Sequence, residues 1–210
     1  MLLRVAQMID CTEAEGPGRR FALWFQGCPL RCPGCCNPEM LPFSGGEILH
    51  IDTVWERVRN AVTRSHVEGI TLLGGEPFAH AAGAALLARK AQNASLSVMV
   101  FSGYTLAEIR NLSDPAASDL LAHTDILVDG PYRSELPETR RRWIGSANQQ
   151  VHFVSDRYRS DDPAWSRGNT LEIRLQENEL LVNGFPAAGA VEFWRRPPQS
   201  RTGATPPRDE

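Results

Sequence analysis

The chain has 210 residues, of which 42% are apolar and 22% charged, enough for one domain with a substantial core. Its formal net charge of −3 offers no electrostatic basis for binding nucleic acid or an acidic membrane. No apolar run reaches bilayer-spanning length, and Met1-Leu2-Leu3-Arg4-Val5 lacks the apolar stretch of a signal peptide, so a cytoplasmic protein is expected.

Phe21-Ala22-Leu23-Trp24-Phe25 reads as a buried strand and feeds directly into Gln26-Gly27-Cys28. With Asp52 as N-cap, residues 53–66 predict a helix with Val54, Trp55, Val58, Ala61 and Val62 on one face. Gly69-Ile70-Thr71-Leu72-Leu73 is a second buried strand and runs into Gly74-Gly75-Glu76-Pro77. An Ala/Leu-rich helix over 79–94, a strand over 96–101, a short helix near 106–111 and a strand over 125–128 follow. Strands alternating with helices predict right-handed crossovers, a parallel sheet of five or six strands, and an α/β fold of partial (β/α) barrel type. Chemistry then belongs at the C-terminal strand ends. Clean alternation at Leu171-Glu172-Ile173-Arg174-Leu175, followed by Leu180-Leu181-Val182, predicts a β-hairpin over 169–186. The expected organisation is a core at 1–155, an extension with the hairpin at 156–194, and a disordered Pro- and Arg-rich tail at 195–210.

Four of the five cysteines fall at 28, 32, 35 and 36, which points to metal rather than to a disulfide framework. Iron–sulfur clusters need thiolates, and Cys28, Cys32 and Cys35 are spaced to wrap one cubane and reach three of its irons. The fourth iron then has no protein ligand. The alternative is a zinc site using Cys28, Cys32, Cys35 and either Cys36 or Cys11, although structural zinc favours two separated cysteine pairs. Cys36 reads as a wall residue and Cys11 as a buried thiol.

Further motifs follow the later strands. Two glycines at a strand end, Gly74 and Gly75, permit close backbone approach, and Glu76 can accept hydrogen bonds from a cationic amino group. The same residues also read as a strand-to-helix turn that Pro77 opens. Ser102 reads either as a cofactor hydroxyl or as part of a helix start before Thr105. Asp129 ends a buried strand and needs a ribose hydroxyl, a cation or an arginine as partner. Gln26 and Asn37 flank the cysteine loop, as cavity residues or as loop caps. Gly145-Ser146-Ala147-Asn148-Gln149 offers donors and acceptors for an extended peptide, or is a structured turn. Arg140-Arg141-Arg142 reads as a solvated face or as a contact for an acidic partner.

The three-cysteine spacing resembles the signature of the radical S-adenosylmethionine superfamily. Glu15-Gly16-Pro17-Gly18-Arg19-Arg20-Phe21, Phe25-Gln26-Gly27-Cys28 and Cys32-Pro33-Gly34-Cys35-Cys36-Asn37-Pro38-Glu39 resemble the opening of its small glycyl-radical-enzyme activases. Gly74–Pro77, Phe101–Thr105, Asp129–Tyr132 and Gly145–Gln149 continue in the order of the branch that activates anaerobic ribonucleoside-triphosphate reductase. The resemblance spans about residues 2–155. It implies a [4Fe-4S] cluster on Cys28, Cys32 and Cys35, with S-adenosylmethionine held at its methionine end by Gly74, Gly75, Glu76 and Pro77 and lined by Ser102 and Asp129. It further implies cleavage of that cofactor to a 5′-deoxyadenosyl radical, a flavodoxin or ferredoxin as electron donor, and a glycyl-radical enzyme as partner. Cys36 stands where the family usually has Tyr or His. Together with the C-terminal extension it favours a second reading, an enzyme of the same superfamily acting on a ribosomal peptide or a small molecule. A non-catalytic zinc or electron-transfer module is the third.

Overall fold

The computed structural model describes residues 1–176 and 179–184. In chain order the elements are β1 (Leu2–Thr12), β2 (Arg20–Phe25), β3 (Glu47–His50), α1 (Ile51–Ser65), β4 (Gly69–Gly74), α2 (Ala81–Asn93), β5 (Ser97–Phe101), α3 (Leu106–Arg110), α4 (Pro115–Ala122), β6 (Ile126–Asp129), β7 (Gln150–Phe153), β8 (Leu171–Gln176) and β9 (Glu179–Gly184).

The first seven strands form one sheet in the order β3-β1-β2-β4-β5-β6-β7. Four of them, β2, β4, β5 and β6, run parallel, with Arg20 opposite Gly69, Gly69 opposite Ser97 and Met99 opposite Ile126. The expected parallel run of five or six strands is therefore four. β1 and β7 join it antiparallel, and β3 lies antiparallel on the outer side of β1. The reason lies in the connections. Residues 13–19 turn β1 into β2 through Gly16 and Gly18, both at positive φ, and a link this short allows only antiparallel pairing. The sheet is open, with β3 and β7 at its edges.

All six residues of β2 are buried, which is why Phe21–Phe25, after the buried Arg20, reads as a continuous apolar run instead of alternating. On one face Phe21, Leu23, Phe25, Ile70, Leu72 and Val100 pack beneath the helices. On the other, Met99, Ile126 and Val128 lie against Trp143, Ile144 and Trp165, the two indoles meeting edge to face at 5.1 Å. Nearer the strand ends that face carries Ala22, Trp24 and Leu73.

Local signals explain the helix boundaries. His50, not Asp52, caps α1: its Nδ1 accepts from Asp52 N, while Asp52 sits in the first turn, where an acid opposes the helix dipole. His66, in the left-handed region at φ 52°, ends it. The helix expected from residue 79 starts with a 3-10 turn over Pro77–His80 and becomes α2 only at Ala81. Thr105 and Glu108 cap α3 reciprocally.

At the N-terminal end of the parallel strands Arg20 is fully buried. Its guanidinium donates to Thr71 Oγ1, Pro17 O, Ser97 Oγ, Ile70 O and Ser97 O, so that each N–H finds an oxygen. At the edge of the core β8 and β9 pair antiparallel, Leu171 opposite Gly184 and Gln176 opposite Glu179. They are fastened to the end of β1 by polar contacts. Arg174 donates to Cys11 O, Glu172 accepts from Glu13 N, and Asn183 Nδ2 donates to Thr12 Oγ1. Ile173, Leu175 and Val182 stay exposed. The tail expected at 195–210 lies outside the described residues. Among those described, no helix is long and apolar enough to cross a membrane.

Candidate active site

Two loops at the C-terminal strand ends share a backbone seam. After β2 the chain swings out and returns, pinched where Gly27 N donates to Met40 O at 2.8 Å and Cys28 N to Leu41 O at 3.0 Å. Gln26 closes the same pinch, its amide donating to Glu39 O and Pro42 O. After β4, Gly75 N donates to Phe25 O and Glu76 N to Gly27 O, at 2.8 and 3.0 Å. The approach requires a glycine at position 75, where a Cβ would sit 2.3 Å from Gly27 O.

Glu76 is 1% exposed and joins this seam to the next loop. Its Oε1 accepts from Phe78 N and from Ser102 Oγ, and its Oε2 from Gly103 N, all at 2.9 Å. Burial pushes the carboxyl up to about 7 against the opposing pull of these donors. Glu76 thus caps the turn that Pro77 opens, as one of the two sequence readings has it, and also fixes the loop after β5. Ser102 spends its hydroxyl here, donating to Glu76 and accepting from Tyr104 N.

One cavity opens over this junction. Its lining includes Cys28, Cys32, Cys35 and Cys36 together with Gly74, Gly75, Glu76 and Ser102. Pro77 and Asp129 are not in its wall. Asp129 instead accepts from Leu106 N at the start of α3, with His152 Nε2 at 3.0 Å. The partner that its burial demanded is a helix end and a histidine.

Gly145 and Gln149, from the turn at residues 145–149, also line the cavity, and the turn is held by its own glutamine. Gln149 Oε1 accepts from Gly145 N and Ser146 N, and its Nε2 donates to Gly130 O. Arg141 pairs with Glu138 and donates to Gln149 O and Ala147 O. Arg142 donates to Thr170 and lies 4.5 Å above the Trp143 ring. Two of the three arginines are thus part of the scaffold, not a solvated face. Tyr132 lines the cavity as well. Burial and a hydrogen bond to Cys36 push its phenol up to about 12.

Tyr132 and Gln149 were not singled out from the sequence, although both fall in motifs quoted there. Glu15 was missed too. It lines the cavity at 4% exposure, accepts from Asn183 Nδ2 at 3.2 Å, and is pushed by burial up to about 7. It opens the quoted motif Glu15–Phe21, but nothing local reveals its partner, which lies 168 residues away.

The donor set suits a cluster better than a single ion. Among the described residues no three of His, Cys, Asp and Glu converge on one metal position. A cubane needs no such convergence, because each thiolate binds a separate iron. Burial raises the Cys28 and Cys35 thiols, so iron must drive off their protons on binding. Cys35 Sγ already accepts from Asn37 N, the kind of contact that steadies a cluster sulfur.

Three thiols facing a glycine–glycine–glutamate turn at the ends of parallel strands define an enzyme of the radical S-adenosylmethionine class. The family model described as a 4Fe-4S single cluster domain matches residues 14–152, and the chain belongs to that family. Its relatives are anaerobic ribonucleoside-triphosphate reductase-activating proteins. That of Vibrio cholerae is 32% identical over 66% of this chain and 90% of its own. Those of Escherichia coli K12 and of phage T4 are 31% and 29% identical, over 67% and 71% of this chain and 92% and 94% of theirs. Over a quarter of this chain therefore has no counterpart in them. The solved structure of QueE from Escherichia coli overlaps 50% of this chain and 54% of its own at a TM-score of 0.36 and 18% identity. The cofactors of this enzyme are a [4Fe-4S] cluster and S-adenosylmethionine.

Proposed function

We propose that the protein activates an anaerobic ribonucleoside-triphosphate reductase by placing a radical on one of its backbone glycines. The observation that carries this reading is the seam from Gly27 O to Glu76 N, which ties the cysteine loop to the glycine–glycine–glutamate loop inside one cavity. When bound, cluster and cofactor supply one reaction: an electron breaks the C5′–S bond, giving methionine and a 5′-deoxyadenosyl radical. The partner's glycine would supply the hydrogen atom that converts this radical to 5′-deoxyadenosine, which would leave the radical on the glycine.

In this reading Cys28, Cys32 and Cys35 would each hold one iron of the cluster, and the methionine end of the cofactor would bind beside them. Gly74 and Gly75 bring backbone close to that end of the cofactor. Glu76 keeps one lone pair on Oε2 beyond its three bonds and offers it to the amino group. Ser102 acts through Glu76, Pro77 fixes the turn, and Asp129 supports the site from behind through α3. Leu30, Leu73 and Phe101 line the cavity with apolar surface that keeps water from the radical. The electron comes from a flavodoxin or ferredoxin, in the cytoplasm.

A second reading, modification of a peptide or small molecule, draws on the C-terminal residues that the relatives lack. One experiment separates the two. Reconstituted protein is incubated anaerobically with S-adenosylmethionine, dithionite and the reductase, then assayed for 5′-deoxyadenosine and for a glycyl-radical signal by electron paramagnetic resonance. Both products are expected, and Cys28→Ala, Cys32→Ala and Cys35→Ala each abolish them together with the cluster absorbance, whereas Cys11→Ala and Cys36→Ala retain the cluster. Cofactor cleavage with no radical on the reductase would turn the assignment to the second reading. A colourless zinc protein would overturn both.

A further inference from the structure

The hairpin of β8 and β9 lies beyond the stretch matched by the family model, yet it reaches the wall of the cavity. Its polar face is turned inward. Asn183 is 6% exposed and uses its whole amide: Nδ2 donates to Thr12 Oγ1 at 2.9 Å and to Glu15 Oε1 at 3.2 Å, and Oδ1 accepts from Arg174 at 2.5 Å. Gly184 N–H also donates to the Glu15 carboxyl. The chain is pressed close at this point, since a Cβ on Gly184 would lie 2.7 Å from that of Ala14.

The contacts of Glu172, Arg174 and Asn183 with residues 11–15 are directional, whereas Ile173, Leu175 and Val182 on the hairpin stay in water. An appendage held only by the hydrophobic effect would show the opposite pattern, apolar side in. What the polar contacts secure is the placement of one buried carboxyl among the apolar and thiol groups of the cavity.

We propose that Asn183 is a positioning residue: through Glu15, the hairpin sets how tightly the cavity takes the partner's backbone segment. The chemistry recognised is an amide N–H or other hydrogen-bond donor of an extended peptide, to which a held carboxyl presents an oxygen. This rests on the activase reading above. In this reading the C-terminal extension is part of the site.

The test is a double-mutant cycle on two readouts. Binding of anaerobic ribonucleoside-triphosphate reductase to cluster-free protein is measured by interferometry for wild type, Asn183→Ala, Glu15→Ala and the double variant. The cluster-loaded forms give KM for the reductase and kcat for radical formation. Asn183→Ala is expected to weaken binding and raise KM by about tenfold, the worth of one lost hydrogen bond to a charged or buried group. The loss falls on KM rather than kcat, and it disappears in the Glu15→Ala background. Asn183→Asp, of the same shape but with an acceptor facing Glu15, loses at least as much. Equal losses from Asn183→Ala with and without Glu15 would overturn the proposal, as would a loss confined to kcat or no loss at all. Wild-type protein that binds no reductase would overturn both readings, whereas binding wild type with unaltered variants would overturn this one alone.

Discussion

Replacing Glu76 by Gln separates two opposed effects that the structure places on one side chain. The carboxyl is wholly enclosed, and its folded-state value of about 7 lies above the ordinary 4.5. The native state therefore holds the proton more tightly than the unfolded chain, and stability falls as pH rises across that window. At about 1.4 kcal/mol per pH unit, ionising Glu76 costs the fold about 3 kcal/mol above pH 7 and under about 1 kcal/mol at pH 5. Glutamine removes this cost. It also sets an NH2 against one of the donors Phe78 N, Ser102 Oγ and Gly103 N, a pH-independent loss of about 1–3 kcal/mol. Glu76→Gln should thus be less stable than wild type near pH 5 and level with it or more stable near pH 8, the gap moving by about 2.5 kcal/mol. Glu15 titrates over the same range in both proteins and cancels. Urea unfolding followed by tryptophan fluorescence at the two pH values measures the gap. A gap of the same size at both would refute the account of Glu76 as a carboxyl raised by burial.

Gly75→Ala puts a methyl group 2.3 Å from Gly27 O, and backbone cannot rotate away. Cofactor cleavage is expected to fall at least a hundredfold, with a melting-temperature loss of several degrees, corresponding to about 2 kcal/mol; activity within twofold of wild type would contradict the seam. Arg20→Lys keeps the charge and loses the fork, leaving buried oxygens without donors, so unfolding free energy should drop by about 3 kcal/mol. A drop below about 1 kcal/mol in denaturant titration would show that charge alone, and not the five directed N–H groups, holds the base of the sheet.

The strands buried on both faces are legible because they need little pattern beyond apolarity, unbroken at Phe21–Phe25 and interrupted only by Thr71 at Ile70–Leu73. Strand β3 was not, since its four residues form an exposed edge with only Leu49 half-buried. β1 carries a broken alternation, interrupted at its irregular pairing with β2, so no clean two-residue period marks it. The cysteine loop and the glycine–glycine–glutamate turn could be read because the chemistry lies in consecutive residues. Direction could not. Whether Asp129 faced the cavity or α3 depended on the strand's register, and it faces α3. The role of Asn183 depended on a contact closed only by the complete fold.

Order of synthesis gives the seam between the two loops a further meaning. The cysteines leave the ribosome some forty residues ahead of Glu76, a lag of roughly 2–8 s at the usual pace of translation. A local turn closes in microseconds, but the hydrogen bond from Glu76 N to Gly27 O has to wait for β4 to emerge. The seam is therefore a late contact, closed only when both short motifs and the two strands that carry them have been made.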